Sequence, residues 1–204
     1  VLFSAALAYA GEGAILCPEL FWDTTVAYAE AKGATVQRVP LRADMGIDLD
    51  AMALAAQSPE VGLVHICNPN NPTGMVIDAA TLRDFIAKVP ADTTVLIDEA
   101  YNELTDVPAD NSVVDLVAAG ANVIVCRTFS KIYGMAGLRV GYALTRPEIA
   151  QKVGSYLMSF GGNTAGLAGA IAAYDDTAFL NQSKSLVVEG RGLILDAVAA
   201  AGLE

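Results

Sequence analysis

The 204-residue sequence is short of positive charge and of several residues on which common chemistries depend. Lysine and arginine number 12 against 23 aspartates and glutamates, a formal net charge of −11. Nucleic-acid partners are gripped through their phosphates and demand a basic footprint. No basic stripe occurs, and no cluster of aromatics interleaves with Lys and Arg, so a nucleic-acid partner is not expected. The three cysteines, Cys17, Cys67 and Cys126, stand far apart in or just after apolar runs, without CxxC or CxxxH spacing. That argues against a disulfide framework and against a zinc site; it predicts reduced, buried thiols, as suits a cytoplasmic protein. His65 is the one histidine and lies inside the apolar run "VGLVHIC", where it reads as a satisfied core residue rather than a base or metal ligand. No apolar run is long enough to span a bilayer. No GxGxxG or GxxxxGK[ST] follows an early strand, which counts against a nucleotide-binding domain.

What is present is a large apolar fraction: 54% hydrophobic residues against 17% charged, enough for a sizeable core. Short β-branched runs recur at "AILC", "TVQRV", "VGLVHIC", "TTVLID" and "NVIVC", with helix-like stretches between them at 22–32, 48–57, 78–88 and 112–119. Asp78 is placed to cap the third of these helices by accepting from amides of its first turn. Strands alternating with helices predict an α/β fold with a mostly parallel sheet and helices on both faces. "LRVGYAL" adds one more strand, and helix dominates from Pro147, a residue suited to a first helical turn. The expected division is a large α/β domain over 1–150 and a helical end over 151–204. The chain starts at Val1 inside an apolar helical pattern and stops at "AAAGLE", which reads as a piece of a longer protein with any targeting signal upstream.

In open α/β sheets, ligands bind beyond the carboxyl ends of the strands. Three polar clusters follow directly on hydrophobic strands: "NPNNPTG" (68–74), "DEAY" (98–101) and "RTFSK" (127–131). All three are therefore expected to face one crevice. These motifs, with the third extended to "RTFSKIYGMAGLRVGY" (127–142), resemble in order and spacing the fold-type I pyridoxal-phosphate-dependent aminotransferases. The likeness is greatest to the histidinol-phosphate aminotransferase branch and runs along nearly the whole chain.

The residues present suit that chemistry. An aldehyde cofactor needs an amine, and Lys131 offers one in a mostly uncharged neighbourhood; a lysine can also carry a proton. The ring nitrogen of pyridoxal 5′-phosphate needs a carboxylate to keep it protonated, for which Asp98 is the candidate. Thr128 and Ser130 offer hydroxyls to a phosphate, and Arg139 can grip its oxygens in bidentate fashion. The resemblance further implies that Lys131 forms the Schiff base, that Asn71 and Tyr101 donate to the cofactor's phenolic oxygen, and that an aromatic residue stacks on the ring. Ungapped matching of the "AYAEAKG" helix puts Trp22 at the stacking position, with Phe21 as the alternative. Glu99 reads as structural. The implied activity is transfer of an amino group between an amino acid or amine, histidinol-phosphate-like or aromatic, and a 2-oxo acid, by a homodimer.

One stretch departs from that branch. "SYLMSFGGNTAGLAGAIAAY" (155–174) replaces a proline-bearing segment where the family shapes its substrate side. The same cradle would also serve a decarboxylase or a carbon–sulfur lyase, or persist in a non-catalytic cofactor-binding remnant.

Overall fold

The computed structural model describes residues 1–158 and 161–203. They group into two compact units, one of residues 1–128 with 141–161, the other of residues 129–140 with the chain from 162 onward.

The first unit runs α1 (Leu2–Tyr9), β1 (Ala14–Pro18), α2 (Thr24–Glu30), β2 (Val36–Val39), α3 (Leu49–Ala55), β3 (Val61–Cys67), α4 (Ala79–Lys88), β4 (Thr94–Asp98), α5 (Pro108–Asn111), α6 (Val114–Ala118), β5 (Val123–Thr128), β6 (Gly141–Leu144) and α7 (Pro147–Gly154). The strands form one sheet in the order β2-β1-β3-β4-β5-β6. Neighbours from β2 to β5 pair in parallel, and β6 returns antiparallel to β5. Each expected strand is therefore present, although "LRVGYAL" contributes only its last four residues. Arg139 adopts a left-handed conformation (φ 54°, ψ 47°) at the end of a 3-10 turn, Ala136–Leu138, which no strand accommodates. The short helix α5 was not expected; "PADN" carries turn residues and holds a single helical turn.

Both faces of the sheet are covered, which explains the unbroken apolar runs of its strands. On one face Val64, Ile66, Val95, Ile97, Val123 and Val125 pack with Met52, Leu82 and Phe85 from α3 and α4. On the other, Ile15, Cys17, Leu63, Cys67, Leu96, Ile124 and Cys126 meet Ala5, Val26, Ile149 and Val153 from α1, α2 and α7. α7 thus crosses residue 150 and buries Ile149 and Val153 against the sheet. The caps follow the sequence: Asp78 Oδ1 accepts from Thr81 N at 2.9 Å, Asp48 does the same for α3, and Pro147 opens α7. Gly13 (φ 146°) lets β1 close on β3, since a Cβ there would lie 2.5 Å from the Glu60 carbonyl oxygen. The three cysteines are buried, as expected, and burial pushes the Cys17 thiol up to about 12. Among the described residues no helix is long and apolar enough to cross a membrane.

In the second unit, the 129–140 loop packs with α8 (Thr164–Tyr174) and α9 (Thr177–Ala200). Gly166 allows the closest approach: a Cβ there would meet Val140 Cγ2 at 2.7 Å and the Leu138 carbonyl oxygen at 3.1 Å. Asn163 caps α8 by accepting from Gly166 N, and its amide donates to Leu138 O at 3.1 Å. Within the departing stretch 155–174, residues 159 and 160 lie outside those described.

His65 is buried as expected, its ring edge-on to Phe21 at 5.0 Å, but it is not satisfied: Nε2 has no hydrogen-bond partner. Burial depresses its pKa from 6.5 to about 3. Between those two values the unfolded chain binds a proton that the folded chain refuses, so this residue's contribution to stability is lost as pH falls from about 6.5 towards 3. The slope is about 1.4 kcal/mol per pH unit for one fully titrating group. Urea unfolding at pH 7 and pH 4.5 is expected to show a smaller acid-induced loss for His65→Leu than for the parent chain. An equal loss in both would mean that His65 does not titrate on unfolding.

Candidate active site

β1 has β2 on one side and β3 on the other, so chain connections leave it in opposite directions. Such a switch point opens a crevice at the carboxyl ends of the two central strands, the usual ligand position in these sheets. The loops after β1 and β3 border it and are tied together, Asn70 Nδ2 donating to Leu20 O at 3.1 Å. Asn70 also donates to Thr73 Oγ1 at 3.0 Å, and Asn68 exchanges two hydrogen bonds of 2.8 Å with the Ile77 backbone. This tie fixes the two aromatics that follow Leu20. Phe21 is 5% exposed and belongs to the core against His65, whereas Trp22 is 40% exposed. Of the two aromatic candidates, only the indole offers an open face.

The loops after β3 and β4 also meet. Asn71 Nδ2 donates to the Tyr101 hydroxyl at 3.0 Å, across thirty residues of sequence. Asp98 ends β4 and is 4% exposed, with Oδ1 accepting from Ala100 N at 3.1 Å. Its Cα partner in the sheet is Cys126, two residues before Thr128. Alternation along the strands puts Asp98 and Thr128 on one face, with Glu99 and Arg127 on the other.

On that second face lies an ion pair the sequence reading did not find. Glu99 is fully buried and accepts from Arg127 Nε at 3.0 Å and Nη2 at 2.8 Å. Ser112 Oγ reaches both Glu99 oxygens at 2.9 Å, Val113 N donates at 3.2 Å, and Arg127 Nη2 also meets Ser112 Oγ at 2.9 Å. Burial works against the Arg127 charge, but Glu99's attraction and hydrogen bonds outweigh it and hold the guanidinium above its usual pKa. Glu103 lies 3.9 Å from Arg127 Nη1, and burial pushes its carboxyl up. The Glu99 carboxylate is thus fully engaged within the fold. The available signal for Arg127 was an arginine just past an apolar run, one strand away from a glutamate at the matching position.

Lys131, Ser130 and Arg139 belong to the 129–140 loop of the second unit. The loop is closed at its base by Phe129 N donating to Val140 O at 3.0 Å, and turned by Gly134 N donating to Lys131 O at 2.9 Å. Lys131 and Arg139 are exposed, and Arg139 Nη1 donates to Ala136 O at 2.7 Å. An arginine in the left-handed region carries a backbone cost of roughly 1–2 kcal/mol that glycine would avoid. The structure brings Asn71 and Tyr101 into contact, sets Asp98 and Thr128 at the ends of adjacent strands, leaves Trp22 open, and holds Ser130, Lys131 and Arg139 in one loop.

The sheet order defines an open-sheet α/β protein whose polar loops stand at the strand ends where such folds usually bind ligands. Within that class, residues 1–204 match the family model for aminotransferase class I and II, and the chain belongs to that family. It is 47% identical over 161 residues to histidinol-phosphate aminotransferase 1 of Cupriavidus pinatubonensis, covering 79% of this chain and 43% of that protein. It is 42% identical over 186 residues to an aromatic amino acid aminotransferase of Rhodococcus jostii, covering 90% and 51%. The histidinol-phosphate aminotransferase of Sinorhizobium meliloti, solved in complex with pyridoxal-5′-phosphate, superposes with a TM-score of 0.89 at 30% identity, covering 98% of this chain and 55% of that one. The chain thus spans about half the length of the curated relatives it matches.

The contact between the β3 and β4 loops is directly measurable. A double-mutant cycle with Asn71→Ala and Tyr101→Phe is expected to give a coupling of about 0.5–1.5 kcal/mol, the usual net worth of such a hydrogen bond. Additive losses in chemical denaturation would mean that the two loops hold their positions independently.

Proposed function

We propose that the protein is an aminotransferase that uses pyridoxal 5′-phosphate to move an amino group between an amino acid or amine and a 2-oxo acid. The observation that carries this reading is the Asn71–Tyr101 hydrogen bond between the loops after β3 and β4, together with the buried Asp98 at the end of β4. A buried carboxylate at one strand end and an amide–phenol pair in the loops that follow suit a cationic ring nitrogen and an anionic oxygen on the same ring. The donor set fits the rest of the cofactor: an exposed indole in Trp22, hydroxyls in Thr128 and Ser130, a guanidinium in Arg139 and an amine in Lys131.

When bound, the cofactor supplies an electron sink that makes the proton on the substrate's Cα removable. Each of the residues named would then have its part. Asp98 holds the ring nitrogen's proton. Asn71 and Tyr101 orient the ring from its phenolic side, the tyrosine made a better donor by accepting from the amide. Trp22 packs on the ring face and keeps water from it. Thr128, Ser130 and Arg139 hold the phosphate. Lys131 Nζ is the amine that would hold the cofactor's aldehyde end, and it would serve as the base that takes the proton from the substrate's Cα. The names of the relatives favour a histidinol-phosphate-like or aromatic amino donor. Homodimeric assembly and a cytoplasmic location belong to the same proposal and rest on family likeness.

Borohydride reduction of the purified protein with pyridoxal 5′-phosphate, followed by peptide mass spectrometry, is expected to put a phosphopyridoxyl group on the Lys131 peptide. An unmodified Lys131 in folded protein would overturn the reading. Arg139→Ala is expected to weaken pyridoxal 5′-phosphate binding at least tenfold in equilibrium dialysis, through loss of a charge-assisted bidentate contact. Assay with aromatic amino acids and histidinol phosphate is expected to release the corresponding oxo product with glutamate formed from 2-oxoglutarate. Release of carbon dioxide instead would favour a decarboxylase.

A further inference from the structure

We infer that Glu99 and Arg127, on the far side of the sheet from Asp98, are positioning residues for cofactor binding; this rests on the proposed function. Asp98 and Thr128 end adjacent strands, and beyond the Asp98↔Cys126 pair the ladder continues with one bond, Glu99 N to Cys126 O at 2.8 Å. Past that point, backbone pairing between β4 and β5 no longer sets the spacing of the two strand ends. The next residue on each strand supplies the restraint instead: Arg127 spans the gap with two donors on one Glu99 oxygen, at 3.0 and 2.8 Å.

The restraint is also anchored away from the sheet. Ser112 Oγ and Val113 N, at the join of α5 and α6, hold the Glu99 carboxylate, and Ser112 Oγ meets Arg127 as well. The carboxylate therefore has little rotational freedom, and neither has the peptide between residues 98 and 99. Since successive side chains along a strand point to opposite faces, fixing Glu99 and Arg127 behind the sheet fixes the directions in which Asp98 and Thr128 leave it in front. A ring nitrogen and a phosphate held by those two residues need their separation kept to within a fraction of an ångström. The geometry points to the buried pair as the element that keeps it. A sequence that needed only stability at these positions could use packed apolar side chains.

The test uses full-length protein carrying Glu99→Gln, which keeps the shape and removes the charge. Three quantities are read at a temperature where far-ultraviolet circular dichroism shows an intact fold: the dissociation constant for pyridoxal 5′-phosphate, the visible circular dichroism of the bound cofactor, which reports its orientation, and the urea midpoint. The expected result is binding at least tenfold weaker together with a reduced visible signal. A lowered urea midpoint with wild-type affinity and wild-type visible signal would assign the pair to stability alone and overturn the inference. Ser112→Ala removes the shared hydroxyl without stranding a charge and decides the matter if Glu99→Gln does not fold: a two- to fivefold loss of affinity supports the inference, and wild-type values overturn it. Wild-type protein that binds no pyridoxal 5′-phosphate overturns the proposed function itself, a result distinct from wild-type binding that the variants leave unchanged.

Discussion

The buried ion pair between Glu99 and Arg127 is the constraint on which the rest of the site end of the sheet depends. A carboxylate with no exposure is tolerable only when its charge is met by a cation and its lone pairs by donors, and this one has a guanidinium, a hydroxyl and a backbone amide. Removing one partner from such a pair typically costs about 3–5 kcal/mol, because a charge is left stranded in a poorly solvated place. The pair therefore couples the segment after β4 to the end of β5 and to the start of α6 through a single group. The strand ends that carry Asp98 and Thr128 are paired on their outer sides to β3 and β6, and this pair bridges them on the side they share.

The same logic, weaker in energy, repeats at the other strand ends. Asn70 ties the loop after β3 to the loop after β1, and Asn71 ties it to Tyr101 after β4. Each link joins loops that are distant in sequence and adjacent in the sheet. Loops that would otherwise move independently are joined by side-chain hydrogen bonds into one rim at the strand ends, while Phe21 and His65 pack in the core. Membership of aminotransferase class I and II gives this rim a chemical context.

Much of this was legible in the sequence because the relevant signals are local. Continuous β-branched runs fixed the strands, Asp78 capped the helix it was expected to cap, and the polar clusters stood directly after strands now found adjacent. What could not be read depends on register or burial. Arg127 faces Glu99 only because Ile97 pairs with Val125, a correspondence that no local pattern encodes. Phe21 and Trp22 are neighbours of the same chemical kind, and burial alone separates the core residue from the open one. The shortened β6 had a similar cause, since the conformation of Arg139 is a tertiary outcome at a residue whose type ordinarily avoids it. His65 was placed correctly, but the lack of a partner at Nε2 follows from packing on both sides of the strand.

The left-handed backbone at Arg139 carries an evolutionary meaning. Glycine would adopt that conformation freely, and a codon for arginine can become one for glycine by a single base change. Drift under selection for folding alone would therefore run towards glycine, with a gain in stability at every step that reached it. An arginine standing there carries that backbone cost, and a ligand that needs its charge would offset it.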